Sequence, residues 1–460
     1  MAVPLVFDGG SPDLVELVAF EGKPARWLDP TKVAPIGWRI TLVCALIGLI
    51  DRIESTLLAG VLPKLQADLG ISDLQAGLIP TAAGIAGLAL LIPAGRMADR
   101  RKRTTLLAVV VASWSILTIG SAVATGFLMF FAVRMLLGAA GQVNGPPVAS
   151  LIADAHPARG RAKAYGIERA AYFSGLPLGL VIGGQLAGIS ALGWRGAFLV
   201  SAVPGLVIAV GVAFLPEPVR GLGDRLDALA AERGVDAGST TEPATAEATP
   251  TFAQLRALWQ LKTLRYLFIG MPALFFGIGG IFYWLPSYLH RSAGMTEKGA
   301  AGVAGGGGGT GILIGIAIGA QLGDRFHRVK PGWRVHLGGL GLLGGGVAFV
   351  GALAAPALPL KIAGIVLACV GFAIAIPNLT AAVADVVNAA DRGMGFASFQ
   401  FLLTAGGALG PAVVGGVSKL TGSLPIGMYV LAVPMVAGAV WVLAGRDAYD
   451  ADLTRSAGLT

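Results

Sequence analysis

Six ionisable residues lie inside long apolar segments of the sequence, where a charge needs a partner or a function. Two acids and a base lie in the first segment, a base in the fourth, and an acid and a base in the fifth: Asp51, Arg52, Glu54, Arg134, Glu168 and Arg169. A charge at the centre of a bilayer costs at least about 2.5 kcal/mol, so such side chains usually face a cavity or each other. Carboxyl groups beside guanidinium groups can exchange protons, and guanidinium groups bind anions. The pattern predicts a substrate-binding or proton-coupling site inside a membrane.

The depths of Asp51 and Arg134 in their segments favour an ion pair between them. Asp51 follows the start of its segment by roughly 20 Å of helix, and Arg134 lies roughly 9 to 12 Å from the opposite surface. We therefore expect Asp51 to pair with Arg134 and to be the proton-responsive carboxylate. The alternative is that the pair only holds two helices together. Glu54 shares the helix face of Asp51, whereas Arg52 points about 100° away.

Glu168 and Arg169 lie closer to the membrane surface. They are roughly 8 to 9 Å from the nearer end of the fifth segment. A gate-forming salt bridge and contact with lipid headgroups are both consistent with that depth.

Composition places most of the chain in a membrane. The 460 residues are 55% hydrophobic and only 13% charged, whereas soluble domains carry about a quarter charged residues. Apolar runs of about 20 residues, the length of a membrane span, recur from Trp38 to Ala444 and predict twelve helices. We predict an all-α integral membrane protein with two six-helix bundles. Its N-terminal tail, first bundle, polar linker, second bundle and C-terminal tail are expected at residues 1–36, 37–215, 216–262, 263–445 and 446–460.

The distribution of basic residues predicts the orientation of the chain. Lys and Arg are concentrated in the loops after the second, fourth, sixth and eighth spans, which the positive-inside rule places in the cytoplasm together with both termini. The first 36 residues lack the pattern of a cleavable signal peptide, and a bacterial inner membrane is the expected location. These loops account for the net charge of +8, so no nucleic-acid partner is expected.

Sequence motifs of enzymes and metal sites are missing from the chain. The two cysteines, Cys44 and Cys369, lie in separate apolar runs and offer neither a disulfide framework nor a paired-cysteine metal site. The sequence contains no HExxH motif and no glycine-rich phosphate loop ending in Lys-Ser or Lys-Thr. We expect no enzymatic activity, no cofactor and no metal.

The two halves share sequence patterns in corresponding loops. GRMADRRKR follows the second predicted helix and AQLGDRFHR follows the eighth, each with an Asp-Arg pair. Arg159-Gly160 after the fourth helix corresponds to Arg392-Gly393 after the tenth. Two loop pairs in register indicate a duplicated six-helix unit, the parallel repeat of secondary transporters whose site lies between the halves.

GRMADRRKR resembles the loop motif of the major facilitator superfamily. In that family small residues let helices approach, an aspartate caps a neighbouring helix, and arginines close the cytoplasmic gate. Lys102 stands where the family pattern usually has glycine, and the Asp-Arg pair is intact. The resemblance implies gate roles for six residues of the two loops: Gly95, Asp99, Arg100, Arg103, Asp324 and Arg325.

The first five predicted helices resemble the Spinster branch of that superfamily. The resemblance rests on the adjacent Asp51 and Arg52 and on the run DLGISDLQAGL at residues 68–78. Spinster-like proteins move lysophospholipids and sphingoid lipids, sometimes with protons, which implies a lysolipid-type substrate. The family tends to carry a glutamate in the fourth helix, at or beside the place where this sequence has Gln142. Glutamine does not exchange protons near neutral pH, so another carboxylate would have to carry a coupled proton.

The second half offers aromatic residues in place of ionisable ones. The seventh span carries Phe275, Phe276, Tyr283 and Trp284, which we predict to form an apolar cavity wall, although aromatic residues of a span more often serve packing or interfacial anchoring. A charged wall opposite an apolar wall suits an amphiphile whose headgroup faces the first half. The glycines between Gly305 and Gly319 predict close helix packing in the eighth span.

These features favour a secondary transporter that moves a lysophospholipid by alternating access with proton coupling. The alternative within the same superfamily is an organic-anion symporter or a hydrophobic drug exporter, with Arg134 and Arg169 contacting the anion. An intramembrane enzyme and a non-transporting sensor agree less well with the motifs. We expect a monomer whose partners are an amphiphile, protons and the lipid bilayer.

Overall fold

The computed structural model describes residues 34–156, 158–218, 220–222, 256, 258–327, 329–330, 332–387 and 392–456. Most of the predicted N-terminal tail and of the predicted linker lies outside these residues, so the predicted domain limits remain predictions. The helices are α1 Ala34–Leu69, α2 Asp73–Arg100, α3 Arg103–Ala122, α4 Phe127–Ala155, α5 Ala158–Ala187, α6 Gly193–Ala213, α7 Lys262–Ala293, α8 Glu297–His327, α9 Trp333–Ala354, α10 Leu358–Val386, α11 Arg392–Thr421, α12 Leu424–Ala444 and α13 Arg446–Ser456.

Eleven of these helices, α2 to α12, are long and apolar enough to cross a membrane. α1 is 36 residues long, and a cluster of three charged residues makes its middle more polar. Two spans are interrupted. α4 breaks at Asn144, before Pro146 and Pro147, which have no backbone N–H to donate, and α8 contains a π-helical segment, Val303–Gly307. The predicted all-α fold of twelve membrane helices is confirmed.

Equivalent turns join the first two helices of each half. α1 is followed by Gly70 and α7 by Gly294, with φ of 61° and 66° in the left-handed region that glycine tolerates. Two residues later Ser72 and Thr296 cap α2 and α8 by accepting hydrogen bonds from backbone N–H groups of the first helical turn. The shared order of glycine, apolar residue and hydroxyl residue supports the predicted internal duplication.

Equivalent ion pairs lie at the end of each half where α6 ends and α7 begins, which we call the linker end. In the first half, the fully buried Arg103 at the start of α3 donates to Asp154 of α4 and to Glu217 after α6. In the second half, Arg334 in the first turn of α9 donates to Asp385 at the end of α10 at 2.6 Å. Each cluster ties the third helix of a half to the fourth helix of the same half.

A residue that follows α6 completes the first cluster, and a residue of α13 completes the second. Glu217 accepts hydrogen bonds from the backbone N–H groups and the side chains of Arg103 and Thr104. Burial opposes ionisation of Glu217, but these hydrogen bonds prevail and hold the pKa of its carboxyl below the usual value. In the second half, Tyr449 of α13 donates its hydroxyl hydrogen to Asp385 at 2.6 Å. An ionised acid therefore closes the first cluster and a neutral phenol closes the second.

The two halves contact each other through α2 with α11, α5 with α8, and α1 with α7. Few side-chain atoms separate the helices of the two halves at these contacts. A Cβ atom on Gly305 of α8 would lie 2.5 Å from the carbonyl oxygen of Pro177 on α5, and one on Gly84 of α2 would lie 2.6 Å from Cβ of Ala408 on α11. These contacts lie towards the end of the molecule opposite the linker end, which we call the far end. Small residues thus permit the close approach of the halves there.

The side-chain bonds between the halves also lie towards the far end. Every hydrogen bond or ion pair that joins a described residue of one half to a described residue of the other lies towards the far end. The described charged clusters at the linker end stay within their own halves. Within the described part of the chain, the bonds that join the two halves therefore hold them together at the far end.

Candidate functional site

Two acid–base pairs, one from α1 and one from α5, converge on Tyr172. Arg52 donates from Nε and Nη2 to Oδ2 of Asp51 at 2.9 and 2.8 Å, and its guanidinium lies 4.5 Å from the centre of the Tyr172 ring. Arg169 pairs with Glu168 at 3.2 Å, and its guanidinium lies 5.5 Å from the same ring. Cations are attracted to an aromatic face at these distances. The site thus holds two guanidinium groups against one aromatic ring, each balanced by the preceding acid.

Tyr172 is a site residue that the sequence pattern did not single out. It follows Arg169 by three residues, which places both side chains on one face of α5, and this spacing was the available signal. The Arg169 side chain is 60% exposed and the Arg52 side chain 24% exposed. Of the two arginine side chains, that of Arg169 is therefore the more exposed.

A second charged group is buried between α1, α3 and α4. Glu54 is 2% exposed and accepts a hydrogen bond from Oγ1 of Thr118 at 2.8 Å. Arg134 is 4% exposed, donates from Nη2 to the backbone oxygen of Glu54 at 3.4 Å, and has its guanidinium 5.3 Å from the Phe198 ring of α6. Oε1 of Glu54 and Nη1 of Arg134 have no hydrogen-bond partner among the described residues. Most buried polar atoms in proteins are paired, so these two atoms require an explanation.

The expected ion pair between Asp51 and Arg134 is not formed among the described residues. Asp51 pairs with the adjacent Arg52, because that long side chain folds back along α1. On α4, Oδ1 of Asp51 lies 3.3 Å from the place of a Cβ atom on Gly141, which follows Arg134 by roughly 10 Å of helix. Glu54, almost one turn further along α1, lies beside Arg134 instead.

Gln142 and Glu168 lie at contacts between helices. The half-buried Gln142 packs against α2, since a Cβ atom on Gly87 would lie 2.6 Å from its Cγ. Glu168 packs against α1, with Oε1 3.4 Å from the place of a Cβ atom on Gly48. A role of Gln142 in substrate binding or proton coupling stays a prediction.

Of the aromatic residues of α7, Tyr283 bonds the other half and Trp284 bonds α11 of its own half. Trp284 is fully buried and donates from Nε1 to the backbone oxygen of Pro411 at 2.9 Å. The buried Tyr283 donates its hydroxyl hydrogen to the backbone oxygen of Ala76 on α2 at 2.6 Å. Tyr283 and Trp284 therefore do not line an open cavity in this structure, because their polar atoms bind backbone near the far end. The partly buried Phe275 and Phe276 pack against the core.

The residues expected at the cytoplasmic gate do not bridge the halves where they are described. For Gly95 and Asp99 the structure describes the backbone alone. Arg100 and Arg325 are exposed. Arg103 and Asp324 lie in the linker-end clusters of their own halves. Asp324 accepts from Arg334 at 3.2 Å. A gating role for these residues stays a prediction.

Four side chains close the far end. Asp73 at the start of α2 accepts from Nη1 of Arg291 on α7 at 2.9 and 3.0 Å, and from Ser418 on α11 at 2.6 Å. Gln66 of α1 donates to Asp73 at 2.8 Å and accepts from Nη2 of Arg291 at 2.6 Å. We call Gln66, Asp73, Arg291 and Ser418 the far-end clamp. It joins two helices of each half.

A second bridge lies beside the clamp. Lys64 of α1 is 3.6 Å from Glu297 of α8 and donates to the backbone oxygen of Ala187 at 2.7 Å. This pair is long and partly exposed, so it contributes less than the clamp. The sequence pattern did not identify either bridge, because Arg291 and Ser418 lie 218 and 345 residues from Asp73 along the chain.

The distribution of charge differs between the halves. In the described part of the chain, ionisable side chains in the middle of the membrane come from α1, α4 and α5, whereas Arg334, Lys361 and Asp385 of the second half lie at helix ends. The described residues contain no group of three or more His, Cys, Asp or Glu side chains that could hold a metal ion. For binding a ligand and exchanging a proton, the described site offers acids, guanidinium groups and an aromatic ring.

Twelve membrane helices in two repeated bundles, with charged side chains in the membrane interior, are the features of a secondary transporter. The family model of the Major Facilitator Superfamily matches residues 44–354. The chain belongs to this superfamily and is a membrane transporter.

Relatives and solved structures narrow the branch. The gallate transporter of Pseudomonas putida is 29% identical over 313 residues, which cover 64% of this chain and 66% of the relative. Protein spinster of Drosophila melanogaster is 26% identical over 278 residues, which cover 60% of this chain and 43% of the relative. A bacterial homolog of the human lysosomal transporter Spinster, solved in an inward-facing and unoccupied conformation, has a TM-score of 0.75 and 21% identity over 92% of this chain and 98% of that one. The matches span less than two thirds of each of these two curated relatives. The predicted Spinster-like membership is confirmed.

Proposed function

We propose that this chain is a secondary transporter of lysophospholipids or related amphiphilic lipids, driven by a proton gradient and working by alternating access. The observation that carries the proposal is the asymmetry of charge between the halves. Among the described residues the first half brings acids and guanidinium groups into the membrane, and the second half brings apolar and aromatic side chains. An amphiphile with a charged headgroup and an apolar chain matches a cavity between two such walls.

The cluster around Tyr172 is the proposed headgroup site. A phosphate oxygen can accept charge-assisted hydrogen bonds from Arg52 and Arg169, whose guanidinium groups lie against the same ring. Asp51 and Glu168 balance these cations when no substrate is bound. A phosphate that arrives at this cluster therefore competes with two ion pairs between adjacent residues and does not meet an unpaired buried charge.

The closed far end supports alternating access. The far-end clamp and the bond from Tyr283 to Ala76 hold the halves together on one side of the headgroup site. Side chains near the linker end, such as Arg169, remain exposed. Opening of the far end requires the clamp to break, and closure of the linker end must then supply new contacts of similar free energy.

An aromatic carboxylate is the second candidate substrate. The gallate transporter of Pseudomonas putida is one of the relatives, and the Tyr172 cluster offers both guanidinium groups for a carboxylate and a ring for stacking. This substrate would not need the apolar wall of the second half. The two candidates therefore make different demands on the protein.

Uptake into proteoliposomes tests both candidates. We expect accumulation of labelled lysophosphatidylethanolamine under an imposed pH gradient, and about tenfold less in Arg169→Gln, because a charge-assisted bond to the phosphate is lost. Arg446→Gln is the matched control, since Arg446 is also an exposed arginine that pairs with an adjacent acid, Asp447, and lies outside the proposed site and gate.

The alternative outcomes separate the candidates. Uptake of labelled gallate without uptake of the lysolipid would contradict the lysolipid proposal and favour the aromatic carboxylate. If folded wild-type protein took up neither compound under any gradient, both proposals would be wrong.

A further inference from the structure

Glu54 and Arg134 are buried charged residues that the proposed headgroup site does not use. Each is more than nine-tenths buried and carries one atom, Oε1 or Nη1, without a partner among the described residues. They lie side by side, with Nη2 of Arg134 3.4 Å from the backbone oxygen of Glu54, yet their side chains form no ion pair with each other. Two neighbouring opposite charges that stay unpaired in a buried site indicate that one of them is neutralised or serves another partner.

The two residues differ in how they can be neutralised. An unpaired charge in the protein interior is strongly unfavourable. Arginine keeps its proton at all physiological pH values, so Arg134 can only be balanced by an anion. Glutamate can be balanced by a cation or by taking up a proton. Arg134 therefore needs either the Glu54 carboxylate or the anionic group of a ligand.

We propose that Glu54 is the proton-coupling carboxylate, and that Glu54 and the anionic group of the substrate compete for Arg134. This inference rests on the proposed function and deepens it, because it adds Arg134 to Arg52 and Arg169 as a further contact of the substrate's anionic group during transport. With a proton on Glu54, Arg134 is free to bind the phosphate or carboxylate of the substrate. When the substrate leaves, Glu54 releases its proton and its carboxylate pairs with Arg134. One proton then accompanies each anion across the membrane.

Among the described residues, no acid other than Glu54 is available as a counter-ion of Arg134. The acid whose charge acts on Arg134 is Glu54, and the further polar neighbour is the Tyr283 hydroxyl, which is bound to backbone. The groups that other packed elements present are already engaged or uncharged: Asp51 with Arg52 on α1, Glu168 with Arg169 on α5, Thr118 with Glu54 from α3, and the Phe198 ring from α6.

The switch needs only a small movement. The Glu54 carboxylate now accepts from Thr118, and the guanidinium of Arg134 already contacts the backbone of the same residue. Rotation about the Glu54 side-chain torsions exchanges the hydroxyl for the guanidinium without a shift of α1 against α4. Asp51 is a poorer coupling residue, because its carboxylate is already engaged by two hydrogen bonds from Arg52.

The test is the pH dependence of ligand binding to the purified protein, with gallate and lysophosphatidylethanolamine as probes. In the wild type we expect affinity to fall as pH rises, by up to about tenfold per pH unit, the limit for one proton linked to one anion. Glu54→Gln should bind with the affinity of the low-pH form at every pH, because glutamine cannot compete for Arg134. Asp447→Asn, an exposed acid-to-amide change, should keep the wild-type dependence.

Two results would overturn the inference. One is a Glu54→Gln variant whose affinity keeps the wild-type pH dependence. The other is an Asp51→Asn variant that loses this dependence while Glu54→Gln retains it, which would return coupling to Asp51. Failure of the wild type to bind either probe at any pH would instead count against the proposed function, so the two failures are distinguishable. Retention of monodisperse folded protein by each variant is checked by gel filtration.

Discussion

The two halves of this transporter share a scaffold and differ in its middle. Both have a glycine and a hydroxyl cap in the first turn at the far end, and both have an Arg-Asp pair between the third and fourth helices at the linker end. Between these ends, α1, α4 and α5 carry buried charges, whereas α8 carries glycines that pack on α5 and α10. The comparison teaches that duplication preserved the elements that fix helix ends, whereas buried charges in the middle of the helices are found, among the described residues, in the first half.

The shared ion pairs are also unequal in burial. Arg103 is fully buried and bonds Asp154, Glu217, Ser150 and the backbone of Pro218. The Arg334 side chain is 12% exposed, and one of its two acids is 73% exposed. The first half therefore depends more strongly on its cluster.

Separate substitutions of Arg103 and Arg334 test this difference between the clusters. They should give the largest change among these predictions, a loss of stability. Arg103→Met should lower the free energy of unfolding by about 3–5 kcal/mol, because it leaves buried acids without a cation. Arg334→Met should cost less, since Tyr449 still donates to Asp385 and Asp324 is mostly solvated. Thermal unfolding in detergent measures both variants. Equal losses of stability would show that the halves depend equally on their clusters.

Substitution of one basic residue in each half tests whether the first half alone supplies the cations that bind the substrate. Arg134→Gln should weaken binding of an anionic probe by about 1.5–3 kcal/mol, or roughly tenfold to a hundredfold, because a charge-assisted bond is lost in a buried site. Lys361→Gln in the second half should leave binding unchanged, since Lys361 bonds Tyr288 and the backbone of Leu353. Titration with gallate or lysophosphatidylethanolamine measures both. An equal loss in both variants would contradict a binding site built by the first half.

Disruption of the two far-end bridges tests which contact holds the halves together. Asp73→Asn should shift the population towards a far-end-open state by about fivefold, and Lys64→Gln by less, because its ion pair is longer and partly exposed. Spin labels at the exposed Val123 and Leu420 report the distance between the halves. The double exchange Asp73→Arg with Arg291→Asp should restore part of the closed population. No change of distance in any variant would mean that backbone packing alone closes the far end.

The pH dependence of stability tests a further difference between the linker-end clusters, because the first cluster contains the ionised Glu217. This change in stability should be the smallest among these predictions. The pKa of Glu217 is lower in the folded protein than its usual value, so its contribution is present at neutral pH and is lost as the pH falls through the lowered pKa. Glu217→Gln should therefore flatten the acid side of the stability curve. Melting temperatures of wild type and variant across acidic pH measure this. Parallel curves would contradict the assigned role of Glu217.

The sequence determined the class of fold and the identity of most site residues. Apolar run length sets the number of spans because the bilayer has a fixed thickness and every backbone polar group in it must be bonded within a helix. The cost of a membrane-buried charge singled out Asp51, Arg52, Glu54, Arg134 and the pair on α5 without any structural knowledge. Repeated loops likewise revealed the duplication, which the equivalent turns and ion pairs of the structure support.

Only the tertiary structure decided which of these residues meet. Depth along a predicted helix is uncertain by a few residues, or roughly 5 Å at 1.5 Å per residue, which is enough to move Arg134 from Asp51 to Glu54. Tyr172 became visible when α1 and α5 placed two guanidinium groups on its ring. The far-end clamp joins Asp73 to side chains more than two hundred residues away. Sequence fixes the free energy of placing each side chain in the membrane, whereas partners between helices depend on rotation and register, which packing of the whole bundle sets.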